Sequence, residues 1–280
     1  MRNLLARRSG SACSLAAACL LVAASVQCGS TGTSGTGPTS SNPDRIAHIY
    51  ARATTQIVFE IDYQKGAEPF TGSLLGMDAF NLTRVNVEKL FQGGGGVPPK
   101  TVTLPSDLTQ MEQLTDVTGP SFTGQRILEI ASQHRGQQDS ATSATFYILF
   151  LDGLYDDGKM VRSDVLGVAL GQTGVVAMFK PVIRSSSGTQ QLQKFVEQTT
   201  LVHEFGHSIG LVNFGIPMTA QHQDTANGAH CANSRCVMYY ANEGASSALQ
   251  FVRDYVLTGN EVLFDSDCLN DTKARILSAQ

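Results

Sequence analysis

The chain is poor in charge, and what charge it has is not basic. Asp, Glu, Lys and Arg together make 16% of 280 residues, against 42% hydrophobic, a balance that suits a packed core with a modestly charged surface. Residues 1–27 hold three of the 20 Lys and Arg and none of the 24 Asp and Glu, so the remainder carries a formal −7. That sign gives no electrostatic footprint for nucleic acid. No internal repeat is present, which excludes a repeat array, and no apolar run after residue 27 is long enough for a membrane span. Histidine is scarce too: six in all, so any site built on imidazole has few candidates.

Two of the six stand together. The segment Val202-His203-Glu204-Phe205-Gly206-His207-Ser208-Ile209-Gly210-Leu211 contains H-E-x-x-H followed by x-x-G. On a helix, His203 and His207 are one turn apart and project from one side, the geometry by which two imidazoles share a Zn²⁺. Glu204 lies beside them as a general base for water at the metal. An amphipathic helix with two surface histidines is the plain alternative. Against it stand Gly210, the apolar Leu201, Val202, Phe205, Ile209 and Leu211 around the polar trio, and the downstream Cys231-x₄-Cys236-Val237-Met238-Tyr239-Tyr240.

This pattern resembles the metzincins, in which H-E-x-x-H-x-x-G is followed by a third histidine and a methionine turn. The usual third position is held here by Asn213, a poor zinc ligand. His48 and His134 lie far upstream, leaving His222 and His230. His230-Cys231-x₄-Cys236-Val237-Met238 is similar to the H-C-x₄-C-x-M of archaemetzincins, and its step from histidine to methionine to that of the matrixins. On this reading Gly210-x-x-His has become Gly210-x₁₉-His230 through a 17-residue insert, Asn213 to Ala229. The spacing favours His230 as third ligand over His222. His222 and Asp224 are otherwise a loop-stabilising pair or substrate contacts. The later C-x-x-C with which archaemetzincins complete a four-cysteine second zinc is absent, so that site is not expected.

The resemblance implies a catalytic Zn²⁺ on His203, His207 and His230, with Met238 packed beneath the metal. Glu204 would take a proton from the attacking water and give it to the leaving amine of a peptide or protein substrate. Tyr240 matches the M-x-Y of astacins and serralysins, where the phenol reaches the metal or the oxyanion; an aromatic wall is the other role. The expected product is a zinc metallopeptidase. Two rivals stand beside it: a zinc hydrolase acting on a non-peptide amide, and a non-catalytic surface lipoprotein that retains a zinc site.

Arg2, Arg7 and Arg8 precede the uncharged apolar run Ala12 to Val26, which reads as a signal peptide over 1–27. Cys28 and a Gly/Ser/Thr tract follow, resembling a bacterial lipoprotein with a flexible tether over 28–44. Gln27 departs from the small residues that usually precede a lipidated cysteine; cleavage before Cys19 and plain secretion are the alternatives. The expectation is an exported protein anchored to the membrane through Cys28 and acting as a monomer. Cys231, Cys236 and Cys268 remain, three thiols that cannot all pair within one chain; Cys231–Cys236 forms a staple on one reading, and Cys268 pairs with either on another.

The expected fold is α/β, a metzincin-like zincin with a twisted mixed sheet, a long active-site helix and a small C-terminal subdomain. The zinc domain would occupy 45–280, divided into 45–211 and 212–280. Strands are expected at 56–62, 100–104, 144–151, 165–170 and 175–179, and helices at 77–92, 122–135 capped by Thr123, and 190–211. In the metzincins substrate pairs with an edge strand beside the cleft, which here would be 165–170.

Overall fold

The computed structural model describes residues 42–74 and 76–279, all within one compact unit. The expected signal peptide, Cys28 and most of the expected tether lie outside the described residues. Among the described residues no helix is long and apolar enough to cross a membrane.

The strands are β1 (Gln56–Gln64), β2 (Ser73–Leu74), β3 (Met77–Asp78), β4 (Thr101–Thr103), β5 (Glu112–Leu114), β6 (Ser121–Thr123), β7 (Ser143–Leu151), β8 (Leu154–Asp156), β9 (Val161–Arg162), β10 (Gly167–Ala169) and β11 (Val175–Phe179). The α-helices are α1 (Pro43–Tyr50), α2 (Asn81–Leu90), α3 (Gly124–His134), α4 (Lys180–Ser185), α5 (Gln190–Ser208), α6 (Ala245–Asp254) and α7 (Ser266–Ser278). The main sheet runs β10-β11-β7-β1-β4, with β5 also on β1. Its pairings are parallel except at the β10–β11 edge. The fold is therefore mixed α/β on a mixed sheet. β7 is buried over all but its first residue, as an apolar run covered on both faces should be.

Several expected elements change at their ends. α1 starts at Pro43 with Asn42 Oδ1 accepting the Arg45 N–H, so the last two residues assigned to the tether are helical. Met77 and Asp78, expected to open a helix, pair instead with Ser73–Leu74 across a turn at Gly76, and α2 starts later. The expected strand 165–170 narrows to Gly167–Ala169. It forms a hairpin with β11 through Gly171–Gly174, whose glycines have φ of 57° and 77°. Thr123 caps α3 through Oγ1 as expected.

α5 packs against the sheet. The Phe205 ring lies 4.8 Å from that of Phe146 and 5.2 Å from that of Phe59, between centroids, and the buried Glu197–Lys180 ion pair ties the helix to α4. Gly210 ends the helical turn with φ 85°; a Cβ there would meet Gly215 Cα at 3.1 Å, so the chain can fold back only with glycine at this position.

Candidate metal centre

His203, Glu204 and His207 project from the buried last two turns of α5, away from Phe205. The segment 213–229 folds back so that His230 comes against them. Its ring lies 5.3 Å from that of His203 and 4.9 Å from that of His207, between centroids. Donor atoms of His203, His207, His230 and Glu243 all lie within 4.8 Å of one another. His222 faces a different cluster, and Asn213 is exposed at φ 60°, with its amide on Gln223.

The tautomers are set by backbone carbonyls. His203 Nδ1 donates to Val237 O at 2.7 Å, and His230 Nδ1 to Asn227 O at 2.6 Å. A proton on each Nδ1 leaves the Nε2 lone pairs facing inward. His203 Nε2 meets His207 Nε2 at 3.0 Å, where one proton at most can lie between them. His230 Nε2 is buried with no hydrogen bond, 3.0 Å from Glu243 Oε1. Three buried imidazole nitrogens converging without enough protons are a donor set for a divalent cation. Neutral imidazoles at this spacing suit Zn²⁺, which takes its nitrogen ligands at about 2.0–2.1 Å.

Electrostatics keep His203 and His207 neutral, while His230 is drawn towards its charged form by Glu243. Burial, followed by the neighbouring His230, holds His203 down at about 4. Burial with both other histidines puts His207 well below its ordinary value. Burial also opposes the charge on His230, but the Glu243 carboxylate and the Asn227 carbonyl outweigh it and raise this imidazole. Burial, and then Glu243, push the Glu204 carboxyl up to about 8, with the Ala169 N–H pulling the other way. A bound dication would favour its ionised form.

Glu204 Oε2 accepts the Ala169 N–H at 2.8 Å. This bond ties α5 to the sheet edge: Leu166 O and Leu170 N bond to β11, so by alternation Gly167 and Ala169 turn their backbone groups outward. A cleft of about 320 Å³ runs along this edge, lined by Val165, Gly167, Tyr240, Glu243 and Gly244. Tyr240 is 38% exposed there, with its ring against Tyr239.

Two residues of this site carry no signal in the sequence. Glu243 is one. The other is Asn242, 3% exposed, whose Nδ2 donates to Val237 O and Cys236 O and so holds the turn on which His203 leans. Both lie just beyond Met238-Tyr239-Tyr240, in a short 3₁₀ segment whose role depends on the tertiary fold.

No protein-family model and no curated protein sequence matches the chain. Among solved structures it is similar to archaemetzincin from Methanopyrus kandleri, at 13% identity over 80% of this chain and 97% of that one, with a TM-score of 0.42. It is also similar to metalloproteinase-II from Bacteroides fragilis, at 15% identity over 80% of this chain and 54% of that one, with a TM-score of 0.39.

Proposed function

We propose that the chain is an exported zinc-dependent endopeptidase of metzincin type, with His203, His207 and His230 as metal ligands and Glu204 as general base. The observation that carries this reading is the convergence of three buried imidazoles beside a buried carboxylate that is tied to the β10 edge, next to a cleft. Zinc bound there supplies Lewis acidity and a water acidified towards neutrality. Glu204, steadied through one oxygen by Ala169, takes the proton of the attacking water and delivers it to the leaving amine. An extended peptide lies along β10, paired with the outward backbone groups of Gly167, while Tyr240 forms a wall of the cleft or donates to the oxyanion.

The test is hydrolysis of casein by the purified protein, abolished by a chelator and restored by zinc. Activity confined to non-peptide amides would assign the site to the rival hydrolase class. We further infer a lipid anchor on Cys28, with 1–27 removed and the catalytic unit divided near residue 211. Cys28→Ser should then move the protein from membranes to the soluble exported fraction.

Glu243 favours a second reading, a closed His₃Glu site that binds metal without turnover, because its carboxylate stands where a fourth ligand would. Glu243→Ala separates the two. A closed site gains hydrolysis when the fourth ligand is removed; an open one gains none.

A further inference from the structure

Behind His230 lies a second group of buried donors. Cys231, Cys236 and Cys268 are free thiols with no exposed surface. Cys236 Sγ is 3.6 Å from Cys268 Sγ, and the Cys231 thiol donates to Asp265 Oδ2 at 3.3 Å. Donor atoms of His222, Cys231, Asp265 and Cys268 all lie within 4.8 Å of one another. His222 brings Nδ1 to 3.4 Å from Cys231 Sγ. Its other nitrogen, Nε2, lies 2.8 Å from Asp271 Oδ2, and Asp271 Oδ1 in turn accepts the Thr219 N–H and hydroxyl. Asp271 is fully buried in α7. With its proton kept on Nε2 and donated to the Asp271 carboxylate, the ring presents a bare Nδ1 to the sulfurs, the arrangement by which hydrogen-bonding neighbours orient a metal-ligating histidine.

We propose that this cluster is a second, structural zinc site, Cys₃His, with Cys231, Cys236 and Cys268 Sγ and His222 Nδ1 as ligands. Three thiols and one imidazole form a soft, closed donor set of the kind that holds Zn²⁺ tetrahedrally. An odd number of buried thiols cannot be satisfied by disulfides. Asp265 also belongs to the group, its Oδ2 accepting both the Cys231 thiol and the Asn233 amide, but its Oδ1 caps α7 through the Cys268 N–H, and Cys236 is the softer donor for the fourth position. On uptake the three thiols give up their protons to solvent and the imidazole binds neutral, so no oxidant is required.

The site has a purpose in the fold. Cys231 follows His230, and Cys236 precedes Val237, whose carbonyl orients His203. One ion would pin both to α7 and, through His222, to the middle of the 213–229 insert. That assignment gives His222 a role apart from the three-histidine centre, and the proposal stands whether or not that centre hydrolyses peptides.

The experiment is metal analysis of the purified full chain, followed by exchange of zinc for cobalt(II). Two zinc ions per chain are expected. The His203→Ala/His207→Ala double variant should retain one, and its cobalt form should keep the near-ultraviolet sulfur-to-cobalt charge-transfer band that only thiolate ligation produces. Cys236→Ser and Cys268→Ser should each lower that band by about one third or more, one sulfur of the tetrahedral set being gone. Since either serine variant can fail to fold, His222→Cys supplies the decisive case: a fourth thiolate should raise the band by about one third, in proportion to the sulfur count of the tetrahedral set. The proposal is overturned by a wild type lacking the band, by an intact mass showing a disulfide among these cysteines, or by a His222→Cys band identical to wild type.

Discussion

Met238 Sδ fills the space that a side chain on Gly206 would need: a Cβ there would come closer than 3.0 Å to the sulfur. Gly206 lies between the two histidines of α5, and Met238 follows the carbonyl that orients His203. Helix and turn approach this closely because position 206 has no side chain. Gly206→Ala gains up to about 1 kcal/mol in helix propensity but overpacks a fully buried contact at a cost of about 1–3 kcal/mol. The net expectation is a fall in melting temperature of up to about 8 °C, with weaker zinc retention. Met238→Ala in the same chain should relieve part of that loss, so the two changes should not add. Additive melting shifts would show that the two residues do not press on one another.

Replacing Glu204 by Gln keeps a side chain of the same shape that can still accept the Ala169 N–H, and it removes the base. Zinc content should stay at the wild-type level while kcat falls by about 10²–10⁴. A variant as active as the wild type would remove Glu204 from the chemistry.

What the sequence could reveal follows from how local each feature is. His203, Glu204 and His207 are legible because one helical turn is enough to place them together, and Thr123 because a cap acts over three residues. β7 shows as an apolar run since it is buried on both faces. By contrast, α1 is hidden behind a Gly/Ser/Thr tract that continues to its doorstep, and β6, β8 and β9 are too short to show a period. Met77 and Asp78 look helical until Gly76 turns them back onto Ser73–Leu74. His230 was reachable only through its spacing to Met238. Glu243, Asn242 and the meeting of Cys268 with Cys236, 32 residues earlier, are products of the tertiary fold.

His230 and His222 should separate cleanly by metal analysis. His230→Ala opens the three-histidine centre, so its zinc should be lost on dialysis together with activity. His222→Ala leaves His203, His207 and His230 untouched; the ion at the three-histidine centre should remain, and any loss should come from the thiol cluster. The two are told apart by the sulfur-to-cobalt band of the cobalt(II) forms, which only the thiol cluster can produce. If His222→Ala emptied the three-histidine centre and His230→Ala did not, the ligand assignment would be reversed.

Asp62 offers a test of the fold that does not involve the metal ligands. It is 2% exposed on β1, and Tyr147 Oη donates to its Oδ2 at 2.7 Å. Burial raises its carboxyl from 3.8 to about 6 despite that hydrogen bond. The unfolded chain therefore releases this proton near pH 4 and the folded chain near pH 6. Between those values the unfolded state binds fewer protons, so the contribution of Asp62 to stability is full below about pH 4 and falls as pH rises through about 6. Asp62→Asn still accepts the tyrosine hydroxyl but has nothing to ionise. Melting temperatures of the two proteins from pH 4 to 7 should diverge, with the variant gaining on the wild type as pH rises and the gap levelling off above pH 6 to 7. Zinc loss from the histidines at low pH affects both proteins alike and cancels in the difference. Parallel curves would mean that Asp62 ionises in the folded protein as readily as in the unfolded chain, and that the β1–β7 interior is wetter than its packing implies.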